Sequence, residues 1–156
     1  MALLLQNECN PIVLHNDLFI KIVSTAPYED TFEQAAQREA SFQTRSKSIV
    51  DGLKTPFRVS VPTVHGIVKN VLVTEKVKGV TFEKLIRRDI DKARTLIPSL
   101  DLAVKEKVEQ GIYHNDLYQD NVMWDEENQT IWIVDFGMAN STDEWNSKCL
   151  MSEFVF

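Results

Sequence analysis

Short apolar runs open the chain at residues 2–6, 12–15 and 18–23, separated by polar, turn-forming residues such as His15-Asn16-Asp17. Their lengths and boundaries predict three strands in an antiparallel meander. The period then changes. From residue 31 to about residue 48, Phe32, Ala35, Ala36, Glu39 and Phe42 recur near helical spacing, with Thr31 placed as the N-cap and Gln34 in the reciprocal capping position. The stretch from Pro56 to Pro62 is expected to interrupt regular structure, and residues 63–67 and 70–76 predict two strands about a Val68-Lys69-Asn70 turn.

Gly79 breaks the pattern again, and Thr81 is placed to cap a helix running to about residue 90. A second helix is predicted over about 91–110, with Leu96, Leu100, Ala103, Val104 and Val108 on its apolar side. Pro98 lies inside it, which predicts a kink there or a start near Ser99; Gly111 reads as its stop. Residues 121–124 and 131–134 predict a hairpin about Asp125-Glu126-Glu127-Asn128, and residues 143–154 are weakly helical. The order of elements predicts an α+β fold in a single domain over 1–156. A small antiparallel sheet lobe with one helix would span about 1–77, and a reduced helical lobe about 79–156.

Composition narrows the partners. The chain is 44% apolar and 26% charged, as in ordinary globular proteins. Its net charge of −6 gives no electrostatic case for binding nucleic acid. The charge is unevenly spread: residues 69–107 carry ten basic and six acidic side chains, whereas ten acidic residues and one basic residue, Lys148, follow. An acidic cleft in that last part would need a cation to hold phosphates. Cys9 and Cys149 are far apart without metal-ligand spacing and read as free thiols of a reducing compartment, hence a cytoplasmic expectation. The apolar start is too short for a signal sequence, and no stretch reaches membrane-spanning length.

The chemistry concentrates late in the chain. Between the second helix and the hairpin lies Gly111-Ile112-Tyr113-His114-Asn115-Asp116-Leu117-Tyr118-Gln119-Asp120-Asn121, and Asp135-Phe136-Gly137 follows the hairpin. Together these resemble the H-R-D-L-x-x-x-N catalytic loop and the D-F-G metal loop of the protein-kinase superfamily. The resemblance implies ATP and Mg²⁺ as cofactors. It implies Asp116 as the carboxylate that takes or orients the proton of an attacking hydroxyl. Asn121 and Asp135 would be the oxygen ligands of Mg²⁺ against the nucleotide phosphates. Gly137 would permit the backbone turn that aims Asp135, and His114 would pack beneath the loop.

Upstream, Leu18-Phe19-Ile20-Lys21 resembles the strand whose lysine contacts the α- and β-phosphates, and Glu39 is placed to pair with Lys21. The stretch from Leu72 to Gly79 resembles the strand and hinge behind the adenine, with Thr74 as the residue at the back. There the Glu75 carbonyl and Val77 amide would bond the base.

The chain also departs from that pattern. No glycine lies in Gln6-Asn7-Glu8-Cys9-Asn10-Pro11, where a phosphate-covering loop belongs. Phe19 stands in place of a small alanine above the base, Asn115 in place of the H-R-D arginine, and Tyr118 in place of a lysine that neutralises the transferring phosphate. The 19 residues after Gly137 leave no room for the usual late helices, a truncation similar to that of minimal kinase-like effectors that bacterial pathogens inject into host cells. The expectation is an atypical Ser/Thr protein kinase acting on a protein hydroxyl, in the host cytoplasm if an effector. A pseudokinase that binds a protein partner and a small-molecule phosphotransferase are the alternatives.

Overall fold

The computed structural model describes residues 3–6, 11–14 and 17–143. Residues 7–10, where a phosphate-covering loop is expected, both cysteines and the predicted weak helix beyond Asp143 lie outside the described residues. Nine strands and three helices are found in the described residues, in the order β1 (Leu3–Gln6), β2 (Pro11–Leu14), β3 (Leu18–Ile22), α1 (Phe32–Asp51), β4 (Arg58–Ser60), β5 (Val64–Val68), β6 (Val71–Glu75), β7 (Val80–Thr81), α2 (Phe82–Arg88), α3 (Ile90–Glu109), β8 (Val122–Asp125) and β9 (Thr130–Ile133). The mixed α+β architecture with small antiparallel sheets is the one the hydrophobic pattern predicts.

Each helix begins where a side chain can satisfy an otherwise unpaired N–H. Thr31 is extended (φ −131°, ψ 154°), and its hydroxyl accepts from the Gln34 N–H at 3.1 Å. Thr81 does the same for Lys84, and Asp89 for Lys92. Asp89 also ends α2, so the boundary between the two helices falls slightly earlier than the sequence predicts. The helix α3 runs unbroken through Pro98. It closes on Gly111, at φ 77°, with the Ile112 N–H reaching the Lys107 carbonyl and the Gly111 N–H that of Val108. That pair of reversed bonds is the glycine-terminated helix end.

The predicted three-strand meander is not what forms. Strands β1 and β2 pair with each other, whereas β3 pairs antiparallel with β6, and β6 with β5. Strand β6 is the most buried strand of this half, with Leu72, Val73 and Thr74 inside, and β3 and β5 supply the ladders on its two edges. A second correction concerns residues 56–62. Rather than interrupting regular structure they contain β4, which pairs in parallel with β9, Val59 opposite Ile131. The resulting four-stranded sheet has the order β4-β9-β8-β7.

The main core lies between this sheet and the helices. Val59, Phe82, Leu96, Leu100, Trp124 and Ile131 are all fully or almost fully buried. Phe57 packs edge-on against Trp124 with ring centres 5.8 Å apart. Helix α1 packs on β5 and β6 through one part of its length and on β4 and α3 through another, joining the two sheets.

Candidate active site

Strand β3 alternates its side chains, as any strand must, and so puts Phe19 and Lys21 on one face. The Lys21 ammonium lies 2.7 Å from Glu39 Oε1 and 2.8 Å from Asp135 Oδ1. Glu39 comes from the inner stripe of α1 and is 2% exposed. One lysine thus bridges two carboxylates from distant segments. Burial disfavours the Lys21 cation, yet the Glu39 charge and the bond to Asp135 outweigh it and raise its pKa. Burial pushes Glu39 up, with Lys21 pulling the other way. Burial also pushes Asp135 up, but the Lys21 bond and charge prevail and hold it below the usual carboxylate value.

The turn that aims Asp135 differs from expectation. The left-handed residue is Asp135 itself, at φ 59°, while Gly137 serves by having no side chain. A Cβ at Gly137 would lie 3.1 Å from Asp135 Oδ1 and 3.4 Å from Lys21 Nζ, crowding the ion pair. The Gly137 N–H instead donates to Asp135 Oδ1 at 3.2 Å.

The loop after α3 is built around His114, which is buried. Its Nε2 pairs with the Val134 carbonyl at 2.9 Å, so that nitrogen carries the proton, and Nδ1 accepts from the Asp116 N–H at 3.3 Å. The ring stands edge-on to Phe136, centres 4.8 Å apart. Burial, reinforced by the Lys107 charge, lowers its pKa to about 3 and keeps it neutral. Asn121 donates to the Asp116 carbonyl at 2.8 Å and to Asp116 Oδ2 at 3.1 Å. This uses its amide nitrogen and leaves its amide oxygen as the acceptor end. Burial and the Asp135 charge raise the Asp116 pKa, with the Asn121 bond opposing.

A cavity of about 490 Å³ opens in front of these groups. Of the predicted residues, Lys21, Glu39, Thr74, Glu75, Val77, Asn121 and Asp135 line it, whereas Asp116 is not a wall residue and meets the cavity lining through its bonds with Asn121. Phe19 lines it while 53% exposed. The Glu75 carboxylate is committed to the Thr63 N–H at 3.1 Å. Gln43, Pro62, Lys76, Met123 and Val134 are wall residues that sequence reasoning did not single out. Gln43 and Met123 carried a readable signal, since Gln43 sits four residues after Glu39 on the same helical stripe and Met123 two residues after Asn121, which directly precedes β8.

Among the described residues, no group of three or more His, Cys, Asp or Glu forms a metal cage. The Asn121 amide oxygen and the Asp135 carboxylate are hard oxygen donors, and such a sparse set fits Mg²⁺, which takes one or two protein ligands and completes its shell with water and phosphate. Among the described residues no helix is long and apolar enough to cross a membrane.

Comparison with known proteins finds a family model described as the ABC1 atypical kinase-like domain, matching residues 13–155. No curated protein matches the chain. The match spans both halves of the site, from the strand bearing Lys21 to the loop bearing Asp135.

Proposed function

The chain belongs to the ABC1 atypical kinase-like family, and on that premise we propose that it is an ATP- and Mg²⁺-dependent phosphotransferase whose acceptor is a serine or threonine hydroxyl of a protein. The observation that carries this reading is the bridging of Glu39 and Asp135 by one ammonium, Lys21, at the wall of a cavity of nucleotide size. Each residue has a role that phosphoryl transfer requires, which is chiefly positioning and neutralisation of charge. Glu39 is too buried to serve solvent and holds Lys21 toward the phosphates. Thr74, the Glu75 carbonyl and the Val77 amide border the base. Asn121 and Asp135 would hold Mg²⁺, which when bound neutralises phosphate charge. Asp116, with its carboxyl held by Asn121 and its proton affinity raised, accepts or orients the hydroxyl proton.

The protein hydroxyl as acceptor is supported by the resemblance of residues 111–121 and 135–137 to protein-kinase loops, and a cytoplasmic setting by Cys9 and Cys149 read as free thiols. The second reading, a kinase fold that binds a protein partner without catalysis, is favoured by Phe19, whose ring occupies the cavity wall where the base would lie.

Thermal unfolding with ATP and Mg²⁺ tests the nucleotide site. A ligand at 100 times its Kd should stabilise the folded chain by about 2.7 kcal/mol, and Asp135→Ala should lose that gain. Transfer of labelled phosphate from ATP to proteins, absent in Asp116→Ala and Asp135→Ala, separates catalysis from binding alone. Binding without any such transfer would favour the second reading.

A further inference from the structure

Residues 134–143, which carry Asp135, contain one bridging residue, Asn140, and otherwise no regular structure. A segment of this kind leaves its carbonyls without ladder partners. Here the carbonyls are taken one after another by groups from elsewhere. Arg38, next to Glu39 on α1, donates from Nη2 to the Gly137 carbonyl and from Nη1 to that of Ala139, both at 2.7 Å. Tyr28 donates its hydroxyl to the Met138 carbonyl at 3.2 Å. Asn115 donates to the carbonyls of Met138 at 3.2 Å and Thr142 at 3.1 Å. Tyr113 and Asn140 exchange both backbone bonds.

Arg38 is itself held. Its Nε pairs with Glu29, its guanidinium lies 4.9 Å above the Tyr28 ring, and its side chain is 12% exposed. The planar fork of arginine suits two carbonyls two residues apart, and the face of the fork is covered by an aromatic ring. Asp135 gives the loop something to resist, since a left-handed non-glycine backbone persists only where its surroundings over-determine it.

We propose that Arg38 is a positioning residue that, with Tyr28 and Asn115, holds the Asp135 loop in its metal-binding shape without any phosphorylated residue. The proposal rests on the nucleotide-site reading above. It deepens that reading by assigning a constitutive clamp to a site in which Asn115 replaces the arginine that would read a phosphate. Because Arg38 and Glu39 are adjacent on α1, one helix sets both the lysine that meets the phosphates and the loop that meets the metal.

Two readouts test the clamp in the full chain. The first is the Mg²⁺ concentration needed for half of the thermal stabilisation at fixed ATP. Arg38→Met should raise it about tenfold, the equivalent of about 1.4 kcal/mol. The shift with ATP in the presence of EDTA should stay as in the natural chain, because Lys21 and the hinge are untouched. The second is amide hydrogen exchange without ligand, which should speed up across 137–142 and not in the interior of α1. Tyr28→Phe removes only the bond to Met138 and should give the same pattern at smaller size. It decides the matter if Arg38→Met does not fold. A folded variant of either kind with unchanged Mg²⁺ dependence and unchanged exchange overturns the inference. A natural chain that ATP and Mg²⁺ do not stabilise overturns the nucleotide reading instead, and the inference with it.

Discussion

Lys107 is 1% exposed on α3, and its ammonium has no hydrogen-bond partner among the described residues. It lies 5.2 Å from the centre of the Phe136 ring, a contact that offsets only part of the cost of burying a cation. Burial lowers its pKa to about 7 from the usual 10.5. Between those two values the unfolded chain binds more protons than the native one. Stability therefore rises with pH across that window, by up to about 1.4 kcal/mol per pH unit, and the full penalty is present below it. Lys107→Met keeps the shape and removes the charge. It should be more stable than the natural chain at pH 6 by about 2 kcal/mol or more, with the gap closing toward pH 10; urea titrations at pH 6, 8 and 10 measure this. A gap independent of pH would contradict it. His114 adds a loss at the acid end: held near 3 by burial and by the Lys107 charge, it resists protonation that the unfolded chain accepts. The position of Lys107 was readable in part, because it continues the buried stripe of Leu96, Leu100 and Ala103. Its partners were not, since His114 and Phe136 reach it only through the fold.

At the scale of elements, α3 is the instructive case. Its apolar stripe is continuous on both sides of Pro98, and burial of Leu96, Ser99 and Leu100 outweighs the missing N–H and the ring clash of the proline. Pro98 itself is exposed, so it contributes strain without packing. Pro98→Ala should raise stability by about 1–3 kcal/mol, read as a higher urea midpoint at unchanged slope; an unchanged or lower midpoint would show that the ring is accommodated without strain. The helix caps at Thr31 and Thr81 were legible because a cap is local, one side chain bonding an N–H three residues on. Strand β4 was hidden for the opposite reason. It has three residues between prolines, and its ladder partner β9 lies some seventy positions away. Short strands of that kind are specified by burial against the partner rather than by their own pattern.

For the whole molecule, the joints matter more than the pieces. Helix α1 packs against β5 and β6 and against β4 and α3, the parallel pairing of β4 with β9 ties the middle of the chain to its end, and the Lys21–Asp135 bond spans 114 positions. With so many shared contacts the described fold should unfold as one unit. Far-UV circular dichroism and the fluorescence of Trp124 and Trp132, both in the four-stranded sheet, should give coincident urea transitions; separated midpoints would mean that the two sheets open independently.

The amino-acid sequence alone determined the class of fold, the helix caps and the residue types of the candidate site, His114, Asp116, Asn121 and Asp135 downstream and Lys21 and Glu39 upstream. These depend on local bonding or on the intrinsic chemistry of a side chain, which a linear pattern carries. Only the tertiary structure decided that β3 joins β6, that Asp135 rather than Gly137 takes the left-handed backbone, and that Arg38, Tyr28 and Asn115 converge on the carbonyls after Asp135. Each of these follows from two distant segments burying surface and satisfying polar groups against each other, a condition that neither segment encodes by itself.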